Sequence, residues 1–165
     1  MSKAREAAQG LKVLFDRVPS IDSWSTEGES VSSLSGIIQF RDVHFHYPTR
    51  PGKPVLRGLN LTISPGQYVA LVGPSGCGKS TTIALLERFY DPSQGGVFID
   101  GKNISTFNIN EYRSLLALVS QEPTLYQGSI RDNVLLGTAR EDVTDEEIKN
   151  ACQKANIYDF IMSLP

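Results

Sequence analysis

An α/β fold, with an antiparallel cluster of strands first and helices later, is what this sequence predicts, and three observations predict it. Short apolar or alternating runs bounded by Gly and Pro fill the earlier part of the chain. Helix-start signatures at Ser129 and Thr144 stand in the later part. Between them a glycine-rich stretch, Gly73, Pro74, Ser75, Gly76, Cys77, Gly78, Lys79 and Ser80, joins an apolar run to a segment of helical composition. With 165 residues, 40% of them hydrophobic, the chain can form one domain with a sizeable core or most of a larger one.

Composition narrows the partners. The formal charge is −2 and the Lys and Arg residues are scattered, which argues against nucleic acid. No apolar run is long enough to span a bilayer and no signal-peptide core follows the start. Lys3, Arg5, Lys12 and Arg17 are basic as in a transit peptide, but Glu6 and Asp16 among them argue against one. Two cysteines, Cys77 and Cys152, are too few for a disulfide framework and fit a reducing compartment.

The elements follow in order. Residues 3–18 suit an amphipathic helix, with Ala4, Ala7 or Ala8, Leu11, Leu14 or Phe15, and Val18 on one stripe and Pro19 at its end. Residues 20–36 are serine-rich and poor in apolar side chains, so a flexible linker is expected there. Residues 37–46 alternate as a half-buried strand, with a break between Phe40 and Val43 that marks a bulge. A Pro/Gly-dense loop leads to a second strand over 55–63, and Pro65-Gly66 turns the chain into a buried strand over 68–72. A helix follows from 81 to 89, with Ile83, Leu86 and Phe89 apolar. Asp100-Gly101 centres a hairpin over 97–104, and 115–120 reads as another buried strand. Thr144 with Glu147 has capping-box spacing for a helix running towards Ala155, and 159–164 suits a short last helix.

The glycine-rich stretch fits G-x-x-x-x-G-K-[ST] at every fixed position, in the strand–loop–helix context that the pattern requires. Its glycines let the backbone turn successive N–H groups inward at phosphate oxygens, and the helix N-terminus adds partial positive charge. Lys79 then neutralises the β- and γ-phosphates and the Ser80 hydroxyl holds Mg²⁺, so a nucleoside triphosphate is the expected ligand. Cys77 can be a small filler of the tight loop. A thiol in this loop is also a site where alkylation would block nucleotide binding.

Longer phrases carry a family resemblance. Tyr47-Pro-Thr-Arg-Pro51, the phosphate loop, Leu86-Glu-Arg-Phe-Tyr-Asp-Pro92 and Val119-Ser-Gln-Glu-Pro123 resemble the nucleotide-binding domain of ABC transporters, in its multidrug-exporter, P-glycoprotein-like branch. The resemblance covers 37–165, and 1–19 looks like the extension helix that leads from the last transmembrane helix of that branch. It implies a RecA-like phosphate-loop core, an antiparallel β subdomain and the start of a helical subdomain. It also implies ATP and Mg²⁺ as ligands, with Tyr47 stacking on adenine and Val55 near the ribose or simply in the core. Thr81 and Thr82 would reach the α- or β-phosphate or serve only the first helical turn. Gln121 would touch Mg²⁺ or the attacking water, which makes Lys79 and Gln121 the catalytic candidates and Ser80 and Gln121 the metal ligands. The implied partners are a transmembrane domain of the same transporter and a second nucleotide-binding domain, fused or homodimeric, with the domain on the cytosolic face of the plasma membrane.

Departures from the family pattern matter equally. No Leu-Ser-Gly-Gly-Gln signature, no strand ending in Asp-Glu and no switch histidine follow Gln121. Leu34-Ser-Gly36 starts like the signature but lacks its second glycine and lies upstream of the loop, and Asp100 is followed by Gly101 where a base would stand. His44 and His46 sit on the early strand. The domain is therefore expected to be truncated, with 69–72 lacking a strand neighbour, and to bind ATP without turnover. The competing expectations are a non-hydrolysing regulatory nucleotide module and a phosphate-loop kinase or soluble ATPase, the kinase disfavoured by Tyr47 and the Gln121 phrase.

Overall fold

The computed structural model describes residues 2–138 and 140–164, with the side chains of 2–4 left out. Met1, Pro165 and the Ala4 side chain, which carry the outer ends and first stripe position expected above, lie outside the described part. The chain forms two compact units, Met1–Leu118 and Val119–Pro165.

In the first unit, helix α1 spans Ser2–Phe15. It ends there because Pro19 has no N–H to donate to the Phe15 carbonyl and its ring would clash with it. Its apolar side chains, Leu11, Leu14 and Phe15, are exposed, as is Val18 beyond its end.

The sheet is antiparallel, in the order β2 (Pro54–Ile63), β1 (Ile38–His46), β3 (Gln94–Ile99), β4 (Lys102–Asn103). The bulge expected in β1 is present, since register shifts between Phe40 and Val43, where Asp42 has φ 48°. The Asp100-Gly101 hairpin is present too, with positive φ at both residues as a two-residue turn of the right twist requires. Phe40, Val43 and Phe45 from β1, Leu56 from β2, and Val97 and Ile99 from β3 form the core with Leu85 of helix α2 (Lys79–Leu86) and Tyr112 of helix α3 (Ile109–Ser114).

Two local expectations fail, each for a non-local reason. Residues 68–72 and 115–120 are not strands: Val72 is 91% and Val119 96% exposed. A buried strand exists only between neighbours, and neither segment finds one among the described residues. The serine-rich segment is not free. Glu29 bridges to Phe107, its N–H donating to the Thr106 carbonyl at 2.7 Å and its carbonyl accepting from Asn108 N at 2.9 Å. Glu111 accepts from the Ser30 hydroxyl (2.7 Å) and Val31 N (2.8 Å), and Asp100 accepts from Ser35 N (2.7 Å) and Ile37 N (3.0 Å). These bonds hold both carboxyls below their ordinary range, the Ile37 N–H acting most on Asp100 and the Ser30 hydroxyl most on Glu111. Gly28, at φ 106°, lies so close to this strap's anchor that a Cβ would meet Asn108 N at 2.6 Å. Finally, α3 was not anticipated, although Asn108 followed by Glu111 is an N-cap signal, and Asn108 does accept from Asn110 N and Glu111 N.

The second unit holds α4 (Ile130–Leu135), α5 (Asp145–Lys154) and α6 (Tyr158–Met162). Both expected caps close as capping boxes, Ser129 with Asp132 and Thr144 with Glu147. Thr144 N donates to Glu147 at 2.9 Å and Arg140 adds a 2.9 Å ion pair, which together push the Glu147 carboxyl down to about 2 from 4.5, the Thr144 N–H contributing most. Its contribution to α5 is complete above pH 4.5 and is lost as pH falls from 4.5 towards 2. A carboxyl-carbon NMR titration is expected to show Glu147 protonating near pH 2 with α5 fraying over that interval. Protonation at the ordinary glutamate value would contradict the capping geometry.

Candidate functional site

The loop from Gly73 to Gly78 departs from ordinary backbone at Gly76 (φ 81°) and Gly78 (φ 99°), conformations that a side chain would strain. Gly78 is doubly constrained, since a Cβ there would meet Leu56 Cδ2 at 2.7 Å and Val55 Cγ1 at 3.4 Å. Val55 therefore lies against both the loop and the core. Gly73 meets the same kind of limit, with Cys77 Sγ 2.7 Å from its ideal Cβ.

Lys79 closes the loop from inside. Its Nζ donates to the Gly73 carbonyl (2.8 Å) and the Pro74 carbonyl (2.9 Å), and Cys77 Sγ lies at 3.6 Å. Cys77 N also donates to the Pro74 carbonyl at 3.3 Å. Among the described residues no carboxylate pairs with this ammonium. Helix α2 begins at Lys79 without a side-chain cap, whereas α3, α4 and α5 each have one. An uncompensated cation beside uncapped helix amides is a donor set that fits a polyphosphate anion.

The two threonines differ. Thr82 is buried, and its hydroxyl donates back to the Gly78 carbonyl at 3.0 Å, so it serves the first helical turn. Thr81 Oγ1 is instead 2.9 Å from the Tyr47 hydroxyl. Tyr47 is thereby joined to the phosphate-loop helix, and its ring lies against Phe45 and Tyr90 at centroid distances of 5.1 and 5.4 Å. Ser75 and Cys77 are exposed on the loop, and Ser80 is exposed in the first turn of α2. Gln121 belongs to the second unit, where it is exposed in a bend.

Sequence reasoning missed the residues that hold the far end of α2. Tyr112 donates its hydroxyl to the Leu86 carbonyl. Arg113 donates Nε to the Glu87 carbonyl (3.1 Å) and Nη2 to the Arg88 carbonyl (2.9 Å). A guanidinium on the last carbonyls satisfies groups the helix cannot and complements the negative end of its dipole. Burial, with the nearby Glu87 charge, pushes the Tyr112 phenol far up, so it stays a donor at any ordinary pH. The Asn108-x-x-Glu111 cap was the signal that could have located these residues.

Fold and loop together define a phosphate-loop nucleotide-binding domain. The ABC transporter family model matches residues 56–164, and the chain belongs to that family. Over all 165 residues it is 70% identical to the ABC-type transporter MDR1 of Aureobasidium melanogenum and 71% identical to the ABC multidrug transporter MDR2 of Trichophyton interdigitale. It is 66% identical to the ABC multidrug transporter mdr1 of Aspergillus fumigatus. The chain spans 12% of the length of each of these relatives. Among solved structures, a bacterial Atm1-family ABC exporter with ATP bound superposes with a TM-score of 0.83 at 31% identity, covering 98% of this chain and 28% of that one.

Exposed Cys77 stands in the loop that Lys79 closes. Alkylation of Cys77 by a maleimide is expected to abolish Mg-ATP binding, read by equilibrium titration after mass spectrometry confirms the modification. Unchanged affinity would separate the thiol from the phosphate path.

Proposed function

We propose that this chain is the ATP-binding portion of an ABC-type multidrug exporter, in which ATP binding and hydrolysis drive efflux of substrates across a membrane. The observation that carries the reading is the Lys79 ammonium, folded onto the Gly73 and Pro74 carbonyls beside an uncapped helix N-terminus. An incoming triphosphate offers that ammonium a full negative charge in exchange for two neutral carbonyls. The Gly76 and Gly78 geometry frees loop amides for the phosphate oxygens. Tyr47 supplies an aromatic face for the adenine, and Val55 flanks the loop on the β2 side. The Ser80 hydroxyl would hold Mg²⁺, which would neutralise charge on the phosphates, and the family pattern makes the Gln121 side-chain oxygen a further candidate ligand for that ion. The multidrug transporters it resembles support the exporter assignment.

Hydrolysis needs groups beyond this set. A base to orient water and a signature loop closing over the γ-phosphate have no counterpart in this sequence, so the chain binds ATP without turning it over. The partners are then a transmembrane domain and a second nucleotide-binding domain, with this domain on the cytosolic face of the plasma membrane. No helix among the described residues is long and apolar enough to cross a membrane.

Equilibrium Mg-ATP titration tests the reading. Saturable binding is expected, weakened at least tenfold by Lys79→Ala, the loss of about 1.5–3 kcal/mol from a charged hydrogen bond. Circular dichroism should be unchanged and phosphate release absent. Binding indifferent to Lys79→Ala would contradict the site, and Lys79-dependent phosphate release would contradict the absence of turnover.

A further inference from the structure

The aromatic platform is a single ring on a loop, yet it is held on three sides. Tyr47 is the residue after β1, at the start of a turn in which Arg50 N donates to the Tyr47 carbonyl at 2.8 Å. Backbone alone leaves its side chain two free torsions. Phe45, 3% exposed, meets it nearly perpendicularly, at an interplanar angle of 79°. Tyr90, which lies beyond the end of α2, meets it at 89° and a centroid distance of 5.4 Å. Phe45 and Tyr90 also touch each other, at 5.5 Å, so the three rings close a triangle. The third restraint is the Thr81 hydroxyl in the first turn of α2. One helical segment thus grips Tyr47 at two points, near its start through Thr81 and past its end through Tyr90.

We propose that Tyr90 and Thr81 are positioning residues for base recognition: Tyr90 with Phe45 sets the plane of the Tyr47 ring, and Thr81 fixes its tip against the phosphate-loop helix. This rests on the reading of Tyr47 as the base platform. The chemistry selected is a planar nucleobase attached to a triphosphate of fixed reach. A ring already set at the right height above the loop binds the base without the loss of side-chain freedom that a mobile ring would suffer. Stacking on one ring discriminates by π surface rather than by hydrogen-bond pattern, so the site favours purine over pyrimidine nucleotides. Tyr90 acts through its ring and not its hydroxyl, so phenylalanine should replace it.

The test compares two ligands on the full 165-residue chain, Mg-ATP and Mg-tripolyphosphate, which share the phosphates but not the base. Tyr90→Leu is expected to weaken Mg-ATP about three- to tenfold, the size of an aromatic pair, while tripolyphosphate affinity stays constant and Tyr90→Phe restores wild-type behaviour. Tyr47→Phe, which removes only a hydroxyl and keeps the fold, is expected to weaken Mg-ATP by about three- to tenfold, again without affecting tripolyphosphate. An unchanged Mg-ATP affinity in Tyr90→Leu or in Tyr47→Phe overturns the proposal, as does an equal loss for both ligands. Tyr47→Ala separates the two levels. If it leaves the ratio of the two affinities unchanged, the platform reading itself fails. If it shifts that ratio while Tyr90→Leu does not, only the positioning role fails.

Discussion

Everything proposed for this chain depends on where one short helix sits. Helix α2 has eight residues, well below the roughly 12–15 at which an isolated helix becomes even marginal in water. Tertiary contacts therefore fix it. Leu85, with no exposed surface, plugs it into the sheet core, a burial worth about 1.5–3 kcal/mol. Tyr112 and Arg113 take the carbonyls at its far end, where the chain leaves the helix at Arg88 with φ 54°. A helix held at both its apolar face and its C-terminal carbonyls has one position available to it.

The phosphate loop inherits that position. Gly78 can pass so close to Leu56 only because it lacks a Cβ, so the start of α2 is pressed onto β2. Lys79 then folds back over the loop it terminates. The same helix carries Thr81 to the Tyr47 hydroxyl, which links the β1 end to the loop. Sheet, loop and aromatic corner are registered to one another through α2, and the proposed distance between base and phosphate subsites follows from that registration rather than from any flexible fit.

What could be read in the sequence is decided locally, although the local Asn108 cap of α3 went unread. The Phe40–Val43 bulge, the Asp100-Gly101 hairpin and the Ser129 and Thr144 caps are set by residues within a few positions of one another, and all are present. The phosphate loop belongs with them, since its glycines and lysine are contiguous. Segments 68–72 and 115–120 have strand composition, but strand is a relation to neighbours, and Val72 and Val119 stand almost fully exposed without them. The serine-rich segment misled in the opposite direction. Its own residues offer little to bury, but Asp100, Asn108 and Glu111, 65 to 81 positions later, bind its backbone. The Tyr90 corner was illegible for the same reason: Tyr90 is distant in sequence from Phe45 and Tyr47 and meets them only once the sheet and α2 have packed.

Amide hydrogen exchange along α2, on the nucleotide-free chain and its Arg113→Ala variant, tests most directly whether this anchoring builds the site in advance. Slow exchange at the helix-bonded amides of Thr82 and Glu87 is predicted for the wild type, with faster exchange throughout the helix when the Arg113 cap is removed. Free exchange along Lys79–Leu86 in the wild type would mean that α2 forms only when nucleotide arrives, and the account of a preformed site would be wrong.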